Sequence, residues 1–222
     1  MYATDQENVL WAEYLNQATA LNGVKKDTIE GKGRLNNQIT GRIFEYLAEK
    51  GIASHYIQEL SETEQSVKRV NMFPLEVVVR NVAAGSFAKR FGMEEGIDLP
   101  FPVLEFYYKD DALNDPFIND AHVQVLGAAT EEEVAEIKQQ ALKINAALIE
   151  MFKAIGIRLI DFKIEFGKTA EGEIILADEI SPDTCRLWDI ETNEHLDKDI
   201  YRRDLGDLIP VYVEVLDRLN KM

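Results

Sequence analysis

Three charged side chains alternate within LIDFKIEF, residues 159–166: Asp161, Lys163 and Glu165. Successive residues of a strand face opposite ways, so an extended reading turns these three to one side and Ile160, Phe162, Ile164 and Phe166 to the other. One face is core and the other is fully charged. The next apolar run, EIILADEI at 173–180, is broken by Asp178, where a carboxylate needs a cationic partner or water. A two-residue hairpin turn at Glu171-Gly172 sets Ala170 opposite Glu173 and, counting back, Glu165 opposite Asp178. Opposed residues carry Cβ atoms about 4.5–5.5 Å apart, and two carboxylates that close repel unless a cation lies between them. Mg²⁺ suits that place, because it takes hard oxygen ligands and keeps other positions for water and phosphates. A solvated face with internal ion pairs is the plainer reading of any charged strand. Asp178 inside an apolar run favours the metal, and a one-residue slip of register removes the argument.

A second constellation lies in VVVRNVAAGSFAKR, residues 77–90, which starts as a buried strand and finishes as a basic helical turn. Arg80 stands at the end of the apolar run. Ser86 is predicted to cap a short helix over 86–91, whose free N–H groups and dipole attract an anion. The loop SPDTCRLWD, residues 181–189, presents Arg186. Two planar guanidinium forks suit phosphate or carboxylate, so Arg80, Ser86 and Arg186 are expected to converge on one phosphate. Ser86 taken singly reads as a plain helix cap. His55, His122 and His195 show no metal-ligand spacing and read as surface or core residues. Cys185 has no evident base beside it and reads as a passive loop thiol. The loop YYKDDALNDP, residues 107–116, reads equally as a lid or a connection, and Lys25 and Lys26 as solubilising charges or as groups reaching a nucleotide.

The elements that must hold these groups follow from periodicity. Thr130 and Glu133 form a capping box that opens a helix running to Gly156, about 39 Å long, with the apolar stripe Val134, Ile137, Ala141, Ile144, Leu148, Met151 and Ile155. Further helices are predicted over about 37–50, stopped by Gly51, and from about Arg203 onward, kinked at Pro210. Strands are predicted at about 55–60, 66–70, 75–82, 102–109, 157–167 and 172–181. Several follow one another with no helix between them, which points to antiparallel pairing and an α+β fold.

Composition bounds the class. The 222 residues can bury roughly three quarters of the unfolded surface, and 46% hydrophobic with 29% charged residues is ordinary for a soluble globular protein. No apolar run approaches the ~20 residues of a bilayer span, and the first residues lack a secretion signal, so no membrane association and a cytoplasmic location are expected. A single cysteine allows no internal disulfide. With 24 basic against 40 acidic residues, the net charge of −16 repels polyanions and argues against nucleic acid as a partner.

ATALNGVKKDTIEGKGRLNNQI, PLEVVVRNVAAGSFAKRFGMEEG, FYYKDDALNDP, RLIDFKIEFG, ADEISPDTCRLWD and DKDIYRRDLGDLI, in that order and across essentially the whole chain, resemble the SAICAR synthetase family. The resemblance implies a two-lobed α+β fold related to ATP-grasp enzymes, with largely antiparallel sheets and flanking helices. Residues 1–74 would form a nucleotide-binding lobe and 75–222 a substrate- and metal-binding lobe, in a homodimer. The implied reaction is an ATP-dependent ligation in which the CAIR carboxylate is activated, most plausibly as an acyl phosphate, and captured by L-aspartate to give SAICAR, ADP and phosphate. By the same resemblance, Arg80, Ser86 and Arg186 bind CAIR, Glu165 and Asp178 hold Mg²⁺ and the ATP phosphates, Asp161 and Lys163 complete the active face, and Met72 lies where adenine is met. Family members normally open with a Tyr-x-Gly-Lys-x-Lys segment over the phosphates, whereas this sequence starts at Met1-Tyr2. Weak ATP binding and poor turnover are the expectation from that difference. Two other readings use the same residues: a ligand-binding remnant of such an enzyme, and a kinase-like phosphotransferase.

Overall fold

The computed structural model describes residues 1–20 and 25–222. In chain order the first elements are β1 (Tyr2–Ala3), β2 (Val9–Glu13), β3 (Gln17–Ala20), β4 (Lys25–Thr28), α1 (Lys32–Glu49), β5 (Tyr56–Ser61), β6 (Glu64–Lys68) and β7 (Asn71–Met72). Then come β8 (Leu75–Val82), α2 (Gly85–Phe91), β9 (Asp98–Tyr108), β10 (Phe117–Ile118), α3 (Asp120–Val125) and α4 (Glu131–Ala154). The last are β11 (Ile157–Lys168), β12 (Ile174–Ala177), β13 (Cys185–Asp189), α5 (Asp199–Arg202) and α6 (Leu208–Leu219).

The named strands pair antiparallel into a four-stranded sheet ordered β1-β2-β6-β5, a β3-β4 hairpin, and a larger sheet ordered β10-β9-β8-β11-β12. Strand β11 is the spine of the larger sheet: β8 and β7 pair along one of its edges, and β13 and β12 along the other. The inner face of β8 and β11 packs against α4, whose buried stripe from Val134 to Met151 interleaves with Val77, Val79, Phe162, Ile164 and Phe166. Helices α1 and α6 close the same core through Ile39, Ile43, Phe44, Tyr212 and Val215. Burying each of the larger side chains contributes about 1.5–3 kcal/mol, so this continuous layer fixes where β11 presents its other face. Among the described residues, no helix is long and apolar enough to cross a membrane.

Thr130 accepts from the Glu133 backbone N–H and Glu133 returns the bond to Thr130, as the capping box predicts. Four other expectations are corrected. Helix α1 starts at Lys32, five residues before the predicted start, because Gly31 at φ 83 makes the turn into it. The final helix starts at Leu208, so Pro210 falls in its first turn, where an N–H has no partner to lose and no kink results. Helix α2 is capped by Ala84, with no side-chain cap bond, and Ser86 lies inside its first turn. Arg186 belongs to strand β13 and not to a loop.

The charged strand also differs in two local ways. Leu159 pairs with Leu187 and Asp161 with Arg186, so Ile160 is an extra residue in a β-bulge. Ile160 therefore leaves the Phe162 face and packs with Val82, Ala84 and Trp188, while Ile157 and Leu159 stay in the main core. The bulge is what turns Asp161, Lys163 and Glu165 outward without unburying Leu159. At the other end, Thr169 N donates to the Glu173 carbonyl, giving a three-residue loop that Gly172 closes at φ 90. That single extra residue shifts the register, and Glu165 faces Ala177 instead of Asp178.

Candidate active site

Asp161 has an arginine on each neighbouring strand: Arg80 of β8 is its pairing partner on one side and Arg186 of β13 on the other. Directly opposed residues share a face, so sheet pairing alone lines up two guanidinium groups about one carboxylate. Arg80 Nη1 donates to Asp161 Oδ2 at 2.7 Å, and Arg186 Nη1 donates to both Asp161 oxygens at 3.0 and 3.1 Å. Arg80 is further fixed by donating through Nε to Glu105 at 2.7 Å and through Nη2 to Ser86 Oγ at 3.2 Å and Tyr107 at 3.3 Å. Arg186 donates through Nε to Asp199 at 3.0 Å, and its Nη2 has no acceptor among the described residues. Burial acts to push both arginine pKa values down; Asp161, with Glu105 on one side and Asp199 on the other, outweighs it and raises them. The Asp199 carboxyl, though penalised by burial, is pulled down to about 2 by Arg186 and Arg202. Gly85 completes the seat: at φ 50, a Cβ there would lie 2.4 Å from Arg186 Nη2, so only glycine lets the guanidinium lie flat against the chain. Arg80 and Arg186 thus come together about the Asp161 carboxylate, and Ser86 joins them through its hydroxyl and not as a cap.

Next along the same face, Lys163 occupies the space between the two acidic residues. Its ammonium donates to Glu165 Oε1 at 2.7 Å and Asp178 Oδ2 at 3.1 Å, and lies 3.6 Å from Glu76. Burial opposes its charge, but Asp178, Glu165 and Glu76 together raise its pKa. The two carboxylates therefore do meet, across a lysine and despite the shifted register. Asp178 manages this by leaving the strand at φ 63, a left-handed turn that aims it back at β11. His55 holds that turn by donating from Nε2 to the Asp178 carbonyl at 3.0 Å, and burial lowers its pKa to about 4, keeping it neutral. Carboxylate oxygens are the right donors for Mg²⁺, and Asp178 Oδ1 takes no hydrogen bond among the described residues. Glu165 is more occupied, since Lys109, whose side chain is 40% exposed, donates to its Oε2 at 2.5 Å. The donor set fits a hard divalent ion on those terms.

A third group went unread in the sequence. Asp183 accepts at one oxygen from both Lys32, at 2.6 Å, and Lys198, at 3.2 Å, while Tyr212 donates to the other. Burial raises the Asp183 pKa, but the two lysines outweigh it and lower it. Beside it, burial together with Asp183 and Asp178 pushes Glu179 up to about 7. Lys198, Tyr212 and Lys32 stand 15, 29 and 151 positions from Asp183, separations that signal nothing by spacing, and a helix-start lysine looks like any other. All eight residues singled out beforehand (Met72, Arg80, Ser86, Asp161, Lys163, Glu165, Asp178 and Arg186) line one cleft of about 1290 Å³, with Lys32, Asp183 and Lys198. Cys185, Lys25 and His195 fall outside the chemistry, whereas the loop at 107–116 brings Tyr107 to Arg80 and Lys109 to Glu165. Cys185 is buried, with a pKa raised by burial, and Lys25 is spent on Asp204 and the Tyr201 carbonyl. His195, Asp197 and Asp199 have ligand-type atoms within 4.8 Å of one another, yet Asp199 is taken by arginines and Asp197 by two backbone N–H groups.

Comparison with known proteins identifies relatives along nearly the full length. The SAICAR synthetase family model matches residues 1–219. The phosphoribosylaminoimidazole-succinocarboxamide synthase of Enterococcus faecalis is 60% identical over 219 residues, covering 99% of this chain and 92% of that protein. That of Listeria innocua is 60% identical over 222 residues, covering 100% and 94%. Among solved structures, a SAICAR synthetase in complex with ADP is 47% identical with a TM-score of 0.97, covering 100% of this chain and 94% of the other. The synthase of Ehrlichia chaffeensis is 45% identical with a TM-score of 0.96, at the same coverage.

Proposed function

The chain belongs to the SAICAR synthetase family, and on that premise we propose how its cleft carries out ATP-dependent ligation in purine biosynthesis. The reaction joins the amino group of L-aspartate to the carboxylate of CAIR, giving SAICAR, ADP and phosphate. A CAIR carboxylate oxygen takes the γ-phosphoryl group of ATP, and ADP leaves with the electron pair of the broken P–O bond. The aspartate nitrogen then forms the C–N bond, phosphate departs with the pair of the C–O bond, and the former ammonium sheds two protons.

Such chemistry asks for placed charges more than for a protein nucleophile. Arg80 and Arg186 hold the CAIR phosphate as two forks, with the Ser86 hydroxyl beside them, and Asp161 keeps the forks together. Lys163 places a fixed ammonium against the phosphoryl group in transit. Asp178 and Glu165 would hold Mg²⁺, which when bound neutralises the nucleotide phosphates. Met72, 44% exposed at the edge of the sheet, lies against the adenine, and residues 1–74 form the nucleotide side of the cleft.

The observation that carries this reading is the single cleft lined by every one of these side chains. An ADP-release assay tests it. ADP should appear only when ATP, CAIR and aspartate are all present; release without aspartate would mean phosphoryl transfer to another acceptor and would overturn the ligase mechanism.

A further inference from the structure

Gly167 is an interior residue of β11, paired on one side with Met72 of β7 and on the other with Ile175 of β12. Its φ is not positive, so no turn demands a glycine there, and glycine inside a strand gives up packing that alanine would keep. The demand comes from above the strand. A Cβ on Gly167 would lie 2.3 Å from Val70 Cγ2, 2.7 Å from Val70 Cβ and 3.3 Å from Met72 Sδ, so even alanine cannot be placed until Val70 moves.

Alternation says which way it would move. Gly167 stands two residues beyond Glu165, so it belongs to the outward face that carries Asp161, Lys163 and Glu165 into the cleft, at steps of about 7 Å. At the fourth step the strand offers no side chain, and Val70 and Met72 settle into the gap. Both line the cleft together with Leu10, Ala12 and Val67, an apolar group suited to a flat base and not to phosphates. The connector that carries Val70 is tied at both ends: Arg69 N donates to the Asn8 carbonyl at 2.8 Å and Phe73 N to the Phe166 carbonyl at 3.0 Å. With those ends held and β11 beneath, a side chain on residue 167 displaces Val70 toward the cleft.

We propose that Gly167 is a positioning residue for the nucleotide: by carrying no side chain it sets the depth of the Val70–Met72 floor, and with it the gap that receives the base. This rests on the reading of residues 1–74 as the nucleotide side of the cleft, and extends that reading to a residue outside them.

Titration calorimetry with ADP and Mg²⁺, with adenosine and tripolyphosphate as competitors, tests the assignment. Gly167→Ala should weaken ADP and adenosine together, each about tenfold, and leave tripolyphosphate and CAIR within about twofold. A double-mutant cycle supplies a second check: in a Val70→Gly background, which removes the two closest contacts, the same Gly167→Ala change should weaken ADP less than about twofold. Val70→Leu, which adds bulk with Gly167 intact, should reproduce the loss, and it decides the matter if Gly167→Ala does not fold. Unchanged ADP affinity in Gly167→Ala or Val70→Leu, an equal loss for tripolyphosphate or CAIR, or a penalty undiminished by Val70→Gly would overturn the proposal. Wild-type protein that binds CAIR but not ADP would instead remove the nucleotide reading itself, so the two failures are distinct.

Discussion

Asp161 is 3% exposed and carries a guanidinium on each side, so its charge is a structural requirement before any ligand arrives. Asp161→Asn keeps the shape but breaks two buried pairs at once, and should cost about 3–5 kcal/mol of unfolding free energy, read as a lower denaturant midpoint. Asp178 has the opposite character: its side chain is 39% exposed, so it is held for chemistry more than for stability. Asparagine tolerates the left-handed turn at φ 63, so Asp178→Asn should fold normally, bind CAIR within about threefold of wild type, and lose kcat by about 100-fold or more. Undiminished kcat would deny the metal role. At this scale the sequence disclosed residues whose neighbours in the chain betray them, such as a carboxylate inside an apolar run. It concealed Glu105, Lys32 and Asp183, whose meaning comes only from partners far away in sequence.

The elements show the same division between local and non-local physics. Strand β8 runs over Leu75–Val82, the predicted span, and α4 begins at its predicted cap, because alternation and capping are written within a few residues. Thr130→Ala should therefore lower stability by about 1 kcal/mol and leave all kinetic constants alone, since the cap stands away from the cleft; altered kinetics would mean that α4 transmits more than support to β11. Register was not legible. It turned on whether the β11-β12 loop held two residues or three, and on a bulge at Ile160 that periodicity cannot show. Strands β1, β7 and β10 span two residues each, too few for any alternation to register.

Across the molecule, a net charge of −16 coexists with a cleft where arginines and lysines converge, so attraction of anionic substrates must be local and short-ranged. Two carboxyls behind the arginine seat give it opposite pH responses. Burial, with Asp199 beside it, pushes Asp197 up to about 7, well above the ~3.9 of an unfolded aspartate. The folded state then holds a proton that the unfolded chain has released, so this contribution to stability is full below about pH 4 and is lost as pH rises through 7. Asp199, drawn down to about 2, works the other way, and its contribution is lost as pH falls toward that value. Between pH 5.5 and 8 the melting temperature of wild type should fall more steeply than that of Asp197→Asn, and parallel curves would contradict the assignment. The most direct test of the whole arrangement is a crystal structure with ADP, Mn²⁺ in place of Mg²⁺, and CAIR. The sugar phosphate should lie between Arg80 and Arg186, and anomalous scattering should place the metal on Asp178. A phosphate seated elsewhere, or a metal bound away from Asp178, would contradict the account.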